Sequence, residues 1–355
     1  MLRTLELAGS PRERGRRHGQ LLGPEIRRLR RGLLAYLARL SLYTAAVPLF
    51  GLLVVLARRV WPHIPPRLKE EMAGVAQGAE LGLGTVLLIN VLDDLANNSP
   101  RCSALAVGEE RTDQGLYLMG RNLDYPLFTT VLTQLQTMFL IAPDQGLPFA
   151  SLAWPGYVGV CTGTNKAGVA LAQLAAMSRD RTLRGVPAAL RFRQALEAEA
   201  TVAGVAAQIL RLPGTIGNNV MLCGPREAAV LELSARRGVV RRPEKGLITA
   251  TNHYQSPAMQ PLRGRFPPRP PLSPLPAEMF TDAYSQARNA RLQELARARR
   301  LGPEDLKQVL ADRQVANPGT VVCTVFQPAR GRLWVALGEV PPVNRGPFAE
   351  VRPWG

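Results

Sequence analysis

The chain has 355 residues, 46% of them hydrophobic and 20% charged, enough to bury a core as one large domain or two modest ones. Arginine supplies nearly all of the formal charge of +17, because lysine occurs only at Lys69, Lys166, Lys245 and Lys307. The arginines are scattered, aromatics make up 6% of the chain and no helix-turn-helix or finger pattern occurs, so nucleic acid is not an expected partner.

Residues 1–101 read as mostly helical. The first 15 residues lack the apolar stretch of a signal peptide, and the expected location is cytoplasmic. Residues 21–43 have helical periodicity and a basic first half. Residues 40–57 then run without a charge, at the lower length limit for a membrane span. Pro48, Gly51, Ser41 and Thr44 favour instead two buried or interfacial helices broken near Pro48, and contact with a membrane surface stays open. A further helix is expected over 66–81, ending at Gly82 and Gly84.

From Ser103 the texture becomes strand-like. Short β-rich runs at 103–107, 116–121, 136–141, 158–162 and 168–174 are mostly bounded by Gly, Pro, Asn or Asp, as antiparallel strands with tight turns are. Helices are expected over 187–200 and 201–212, then strands at 219–223, 228–233 and 247–250. The proline-dense stretch 257–276 reads as an extended surface loop. Helices at 277–300 and 303–312 precede closing strands at 320–326 and 333–337. This order suggests two antiparallel sheets packed between helical layers.

The catalytic inventory is short. His18, His63 and His253 are the only histidines, and of these only His253 has plausible surroundings for a Cys–His dyad. No HExxH, GxSxG or Walker-type loop is present. The four cysteines, Cys102, Cys161, Cys223 and Cys323, form no CxxC pair, which excludes a spaced zinc site and suits a reducing compartment.

Cys102 stands where the helical part meets the strand-rich part. If the bond before it is cut, its new α-amino group would titrate near pH 7.7–8.0. One residue would then carry a thiol nucleophile and its own general base. Arg121 and Asp124 lie one hairpin away, where Asp124 would hold the ammonium and Arg121 would favour thiolate. On the residues alone, a cysteine ahead of a strand is also an ordinary small buried hydrophobe, and Arg121 and Asp124 also fit a turn salt bridge.

Six stretches in order carry a resemblance. They are GSPRERGRRHGQLLGPEI (residues 9–26), Cys102-Ser103, RNLDY (121–125), GYVGVCTGTNKAGVA (156–170), ATNHY (250–254) and SQARNARL (285–292). Together they resemble the isopenicillin N acyltransferase-like (acyl-CoA:6-aminopenicillanic acid acyltransferase-like) autoproteolytic N-terminal-nucleophile hydrolases, related to choloylglycine hydrolases and acid ceramidases. The resemblance implies an α+β, four-layered αββα sandwich. Residues 1–101 would be a helical α chain or propeptide and residues 102–355 the catalytic β chain, associated as one domain.

By the same resemblance, Cys102 is nucleophile and base, Asp124 orients its amine and Arg121 supports its thiol. Asn252, with Asn165, donates to the developing oxyanion, and Arg288 completes the constellation, Arg291 being the alternative. Asn165 also fits a hairpin residue in the left-handed region, Asn252 a turn cap, and Arg288 an exposed helix arginine. Arg101 is bulky for a residue ahead of a self-cleaved bond. The implied activity is cleavage of a linear amide, or acyl transfer from a thioester such as acyl-CoA, through an acyl-enzyme on Cys102. No metal or redox cofactor is implied. A membrane-surface lipid amidase, and an unprocessed, non-catalytic membrane-associated binding protein, stand as alternatives.

Overall fold

The computed structural model describes residues 2–44, 49–96, 101–113 and 115–355. Strand β1 (Arg3–Gly9) leads into the long helix α1 (Pro11–Thr44). The junction is written in Ser10-Pro11-Arg12-Glu13. The Glu13 carboxylate accepts from the Ser10 backbone N–H at 3.1 Å, and Pro11 takes the first helical position, where its missing N–H costs nothing. Helix α1 kinks at Leu22 (φ −119°, ψ 18°), just ahead of Pro24.

Helices α2 (Leu49–Ala57), α3 (Pro66–Gly78) and α4 (Leu83–Ala96) complete the N-terminal part. The break expected near Pro48 falls at 45–48, outside the described residues. The described parts of 40–57 belong to two helices, and among the described residues no helix is long and apolar enough to cross a membrane. Helix α4 departs from the sequence expectation, in which Gly82 and Gly84 are punctuation: Gly84 lies inside the helix.

Helices α1 and α3 touch backbone to backbone. A Cβ on Gly15 would lie 2.0 Å from the Glu71 carbonyl oxygen, and one on Gly74 would lie 2.4 Å from that of Arg12. Gly19 and Gly78 repeat the arrangement one turn along, so glycines four residues apart line the seam on both helices. Beside the seam, Glu71 is buried and receives Arg14 Nη2 at 2.9 Å and Arg193 Nη2 at 2.7 Å. Burial alone would raise the Glu71 carboxyl; the two guanidiniums outweigh it and hold the group below its ordinary value.

Among the described residues the strands form two sheets. The first runs β1, β4 (Thr137–Pro143), β5 (Phe149–Ala153), β6 (Thr162–Asn165), β7 (Ala170–Ala175), β8 (Asn218–Cys223), β9 (Ala228–Leu233) and β10 (Gly238–Arg241). The second runs β11 (Leu247–Ala250), β2 (Ser103–Glu109), β3 (Gly115–Asp124), β12 (Thr320–Gln327), β13 (Arg332–Ala336) and β14 (Phe348–Val351). The strand expected at 158–162 is instead mostly irregular chain ahead of β6: Gly156 turns the chain at φ 84°, and Gly159 packs so closely on Ala189 that a Cβ would lie 2.8 Å from that side chain. Strands β5, β10 and β14 are additions to the expected set, and β1 pairs with β4 in parallel.

Alternation along the strands builds the layers. In β8, Val220 and Leu222 face helices α6 (Ala188–Ala198) and α7 (Val202–Arg211), joining Phe192 and Ile209; Met221 and Cys223 face the other sheet. In β2, Ala104 and Ala106 face that same inter-sheet core, whereas Leu105 and Val107 meet Leu292 and Leu306 of helices α8 (Asp282–Arg297) and α9 (Pro303–Ala311). The order α6/α7, sheet, sheet, α8/α9 is the four-layered αββα sandwich. The proline-dense stretch departs from the expected surface loop: Met259 and Leu275 are buried in their own clusters. Prolines forbid a strand ladder there but not side-chain packing.

Candidate active site

Antiparallel pairing gathers four chain ends at one edge of the second sheet. Ser103 pairs with Asn122, Ala104 with both Arg121 and Ala250, and Asp124 with Thr320. The start of β2, the end of β3, the start of β12 and the end of β11 therefore lie side by side. Cys102, just before β2, shares the inter-sheet face with Ala104, and Arg121 lies opposite on that face.

Arg121 is buried with its Nη2 at 3.6 Å from the Cys102 Sγ. The same nitrogen donates to the Gln173 carbonyl at 2.6 Å, and Nη1 donates to the Thr162 hydroxyl. The guanidinium thus spans the two sheets and holds a positive charge against the thiol. Burial pushes the Cys102 thiol up to about 11, with Arg121 pulling the other way.

Asp124 ends β3 on the opposite face, toward the helix layer. Arg288 of α8 reaches it there, Nη1 to Oδ2 at 3.1 Å, while Nη2 donates to Asn252 Oδ1 at 2.7 Å. Nη1 also donates to the carbonyl of Arg101 at 2.7 Å and to that of Cys102 at 3.2 Å. Asn317 Nδ2 and the Thr320 hydroxyl each donate to the Asp124 carboxylate at 2.6 Å. Burial pushes Asp124 up to about 6, against the pull of Arg288, Thr320 and Asn317. Asn252 is tied in further by its N–H to Ser285 Oγ at 2.9 Å and its Nδ2 to the Ala175 carbonyl at 2.8 Å.

Arg101 is not a misfit before Cys102. Its backbone N–H donates to the Asp124 carbonyl at 2.7 Å, and its buried guanidinium lies between Phe266 and Phe280, 4.8 and 4.5 Å from the ring centroids. Its Nε donates to the Met279 carbonyl at 2.9 Å. Burial, then the like charge of Arg288, push the guanidinium down to about 9.

The structure thus brings together Cys102, Arg121, Asp124, Asn252 and Arg288, and does not bring Asn165. The Asn165 carboxamide donates to the Leu196 and Glu199 carbonyls at 2.9 and 2.7 Å and accepts from the Val169 N–H at 3.0 Å. It buttresses its hairpin against the end of α6 in extended strand backbone, rather than in the left-handed region. Arg291 sits apart as well, pairing with Asp312 at 2.8 Å. His253 bonds to Ser285 and Thr251, burial pushing it down to about 4, and among the described residues no histidine hydrogen-bonds to Cys102. Asn317 and Thr320 escaped the sequence reading, since Asn-Pro-Gly-Thr looks like any turn before a strand.

Cys102 opens onto a cavity of about 110 Å³ lined mainly by apolar side chains of α1, α4, the short helix α5 (Thr129–Gln134) and the strands, among them Leu29, Leu33, Leu92 and Leu132.

Two sheets packed face to face between helix layers define a four-layered αββα fold, with the polar cluster lying between the sheet edge and α8. The chain belongs to the acyl-coenzyme A:6-aminopenicillanic acid acyl-transferase family, whose sequence profile matches residues 110–340. The match begins beyond Cys102. An uncharacterized protein of Archaeoglobus fulgidus is 26% identical over 220 residues, 54% of this chain and 36% of that one. Protein dcd1A of Dictyostelium discoideum is 27% identical over 187 residues, 46% of this chain and 42% of that one. The chain thus spans about two fifths of the length of these relatives. Among solved structures, the Caenorhabditis elegans ortholog of N-acylethanolamine-hydrolyzing acid amidase aligns with 18% identity and a TM-score of 0.46, covering 64% of this chain and 93% of that one.

Proposed function

We propose that this protein cleaves itself between Arg101 and Cys102 and then acts as a cysteine amidase or acyltransferase. The carrying observation is the 2.7 Å hydrogen bond from Arg288 to the carbonyl of Arg101, the residue directly before Cys102. In the processing step, Sγ attacks the Arg101 carbonyl carbon, and the oxygen gains negative charge against Arg288. The Cys102 nitrogen takes the thiol proton and leaves as a free amine, giving a thioester. Water then releases the Arg101 carboxylate and restores the thiol.

In the mature enzyme the α-amine, a group whose ordinary pKa of about 7.7–8.0 suits proton transfer near neutral pH, serves as base. It takes the Cys102 proton as the thiolate attacks a linear amide or a thioester such as acyl-CoA, and returns it to the departing group. The acyl-enzyme passes its acyl group to water or to an amine. Residues 1–101 and 102–355 remain associated through the shared core. Mass spectrometry of the mature enzyme quenched with an amide or acyl-CoA donor tests this: an acyl adduct on Cys102 supports it, and turnover without that adduct sinks it.

A second reading concerns where substrate is met. Leu42 is 86% exposed, Val55 56% and Leu52 46%, close in sequence to the exposed Arg39, Arg58 and Arg59. An exposed apolar edge with basic flanks suits an anionic membrane surface, and so a lipid amide as substrate. Co-sedimentation with anionic but not neutral vesicles, lost on changing Leu42, Leu52 and Val55 to Ser, is the expected result; no sedimentation with either removes the reading.

A further inference from the structure

The cavity beside Cys102 has room for on the order of eight non-hydrogen atoms. Its apolar wall is interrupted by one carboxylate. Asp93 of α4 accepts from the Tyr125 hydroxyl at 2.7 Å through Oδ1, and among the described residues its Oδ2 has no hydrogen-bond partner. Among the described residues no lysine or arginine lines the cavity, so this carboxylate faces it without a counter-cation from them. Four aromatic side chains, Tyr125, Phe128, Trp154 and Tyr157, share the same wall. Trp154 and Tyr157 meet edge to face, ring centroids 6.4 Å apart.

Asp93 is half-buried, and whatever fills the cavity takes the remaining water from its carboxylate, which is costly unless the carboxylate is paired. Consistently, burial pushes Asp93 up to about 7, the Tyr125 hydroxyl opposing and Asp94 adding to the rise. Aromatic faces around a carboxylate are the surroundings an organic ammonium ion prefers, since ring quadrupole and charge both attract it. A plain alkyl chain would fill the volume but leave Asp93 desolvated and unpaired. Asp94, the neighbouring acid, differs: its Oδ1 accepts from the Ala188 N–H at 2.9 Å and from Thr215, away from this wall.

We propose that this cavity binds a protonated amine, so that the acyl half of the substrate carries an ammonium group paired with Asp93 and bordered by the rings of Trp154 and Tyr157. The assignment of that ligand to the acyl half rests on the amidase reading above; the ammonium site itself does not. Asp93 would act as a specificity residue, separate from the bond-breaking groups.

Calorimetric titration of the full-length Cys102→Ala protein with hexylammonium and with 1-hexanol, close in size and differing in charge, tests this without turnover. The expected result is hexylammonium binding at least tenfold more tightly than hexanol, with that ratio falling at least tenfold in the Cys102→Ala, Asp93→Asn protein. Equal or tighter binding of hexanol, binding of neither, or an unchanged ratio in the folded double variant overturns the inference. The first comparison decides even if the double variant does not fold. Failure of the amidase reading would appear separately, as absence of an acyl adduct on Cys102.

Discussion

The guanidinium of Arg288 donates to the carbonyl oxygen of Arg101 at 2.7 Å, and that carbonyl belongs to the peptide bond directly before Cys102. The same planar group reaches Asp124 at 3.1 Å and Asn252 at 2.7 Å, so one side chain of α8 locks the ends of β3 and β11 around the bond. Lysine keeps the charge but is a point donor that cannot span these acceptors. Arg288→Lys is therefore expected to slow self-cleavage by about a hundredfold, the scale of losing an oxyanion donor. Arg288→Gln should in addition cost about 3–5 kcal/mol by stranding the buried Asp124 carboxylate. Timed denaturing gels and urea unfolding of both variants check the pair of effects.

Arg101 fixes the other side of the bond. Its side chain between Phe266 and Phe280 anchors the segment whose carbonyl meets Arg288. Arg101→Ala keeps the carbonyl and removes the anchor, so cleavage should fall at least about tenfold through lost positioning. A time course indistinguishable from wild type would show that the clamp does not position the bond.

Asp124 sets a pH dependence with two faces. Its folded value of about 6 lies above the ordinary 3.8, so between those values the folded chain holds a proton that the unfolded chain has lost. The Asp124 contribution to stability is therefore full below about pH 4 and declines as pH rises through 6. The ionised form, however, is the one that pairs with Arg288. Cleavage should accelerate as pH rises through about 6 while the stability gap between Asp124→Asn and wild type moves in favour of the variant. Cleavage rates and melting temperatures from pH 4 to 8 measure both.

Much of this was legible in the sequence for a physical reason. Strands such as β9 and β11 are bounded by turn residues and fall where expected, and the spacing from Cys102 through Arg121 to Asp124 is a hairpin that antiparallel pairing must close. What stayed hidden depends on distant packing. Asn165 looked like a site donor, but its carboxamide is engaged with the end of α6. Asn317 and Thr320 join the site only because β12 pairs with β3. The Gly15–Gly19 and Gly74–Gly78 seam was readable as spacing only once α1 and α3 were known to cross.

That seam carries its own test. Gly15→Ala would place a methyl 2.0 Å from the Glu71 carbonyl oxygen, where backbone rather than a flexible side chain must move. A loss of about 3 kcal/mol is expected in urea unfolding, at the upper end for overpacking, since the shift also disturbs the Arg14–Glu71 ion pair. A neutral effect would contradict the close crossing.

The most direct test of the self-cleavage account is intact-mass analysis of the purified protein beside its Cys102→Ala variant, with N-terminal sequencing of every species. The account predicts a fragment beginning Cys-Ser-Ala-Leu from the wild type and a single uncut chain from the variant. A wild-type chain that stays whole on prolonged incubation, or a variant cut at the same bond, would contradict it.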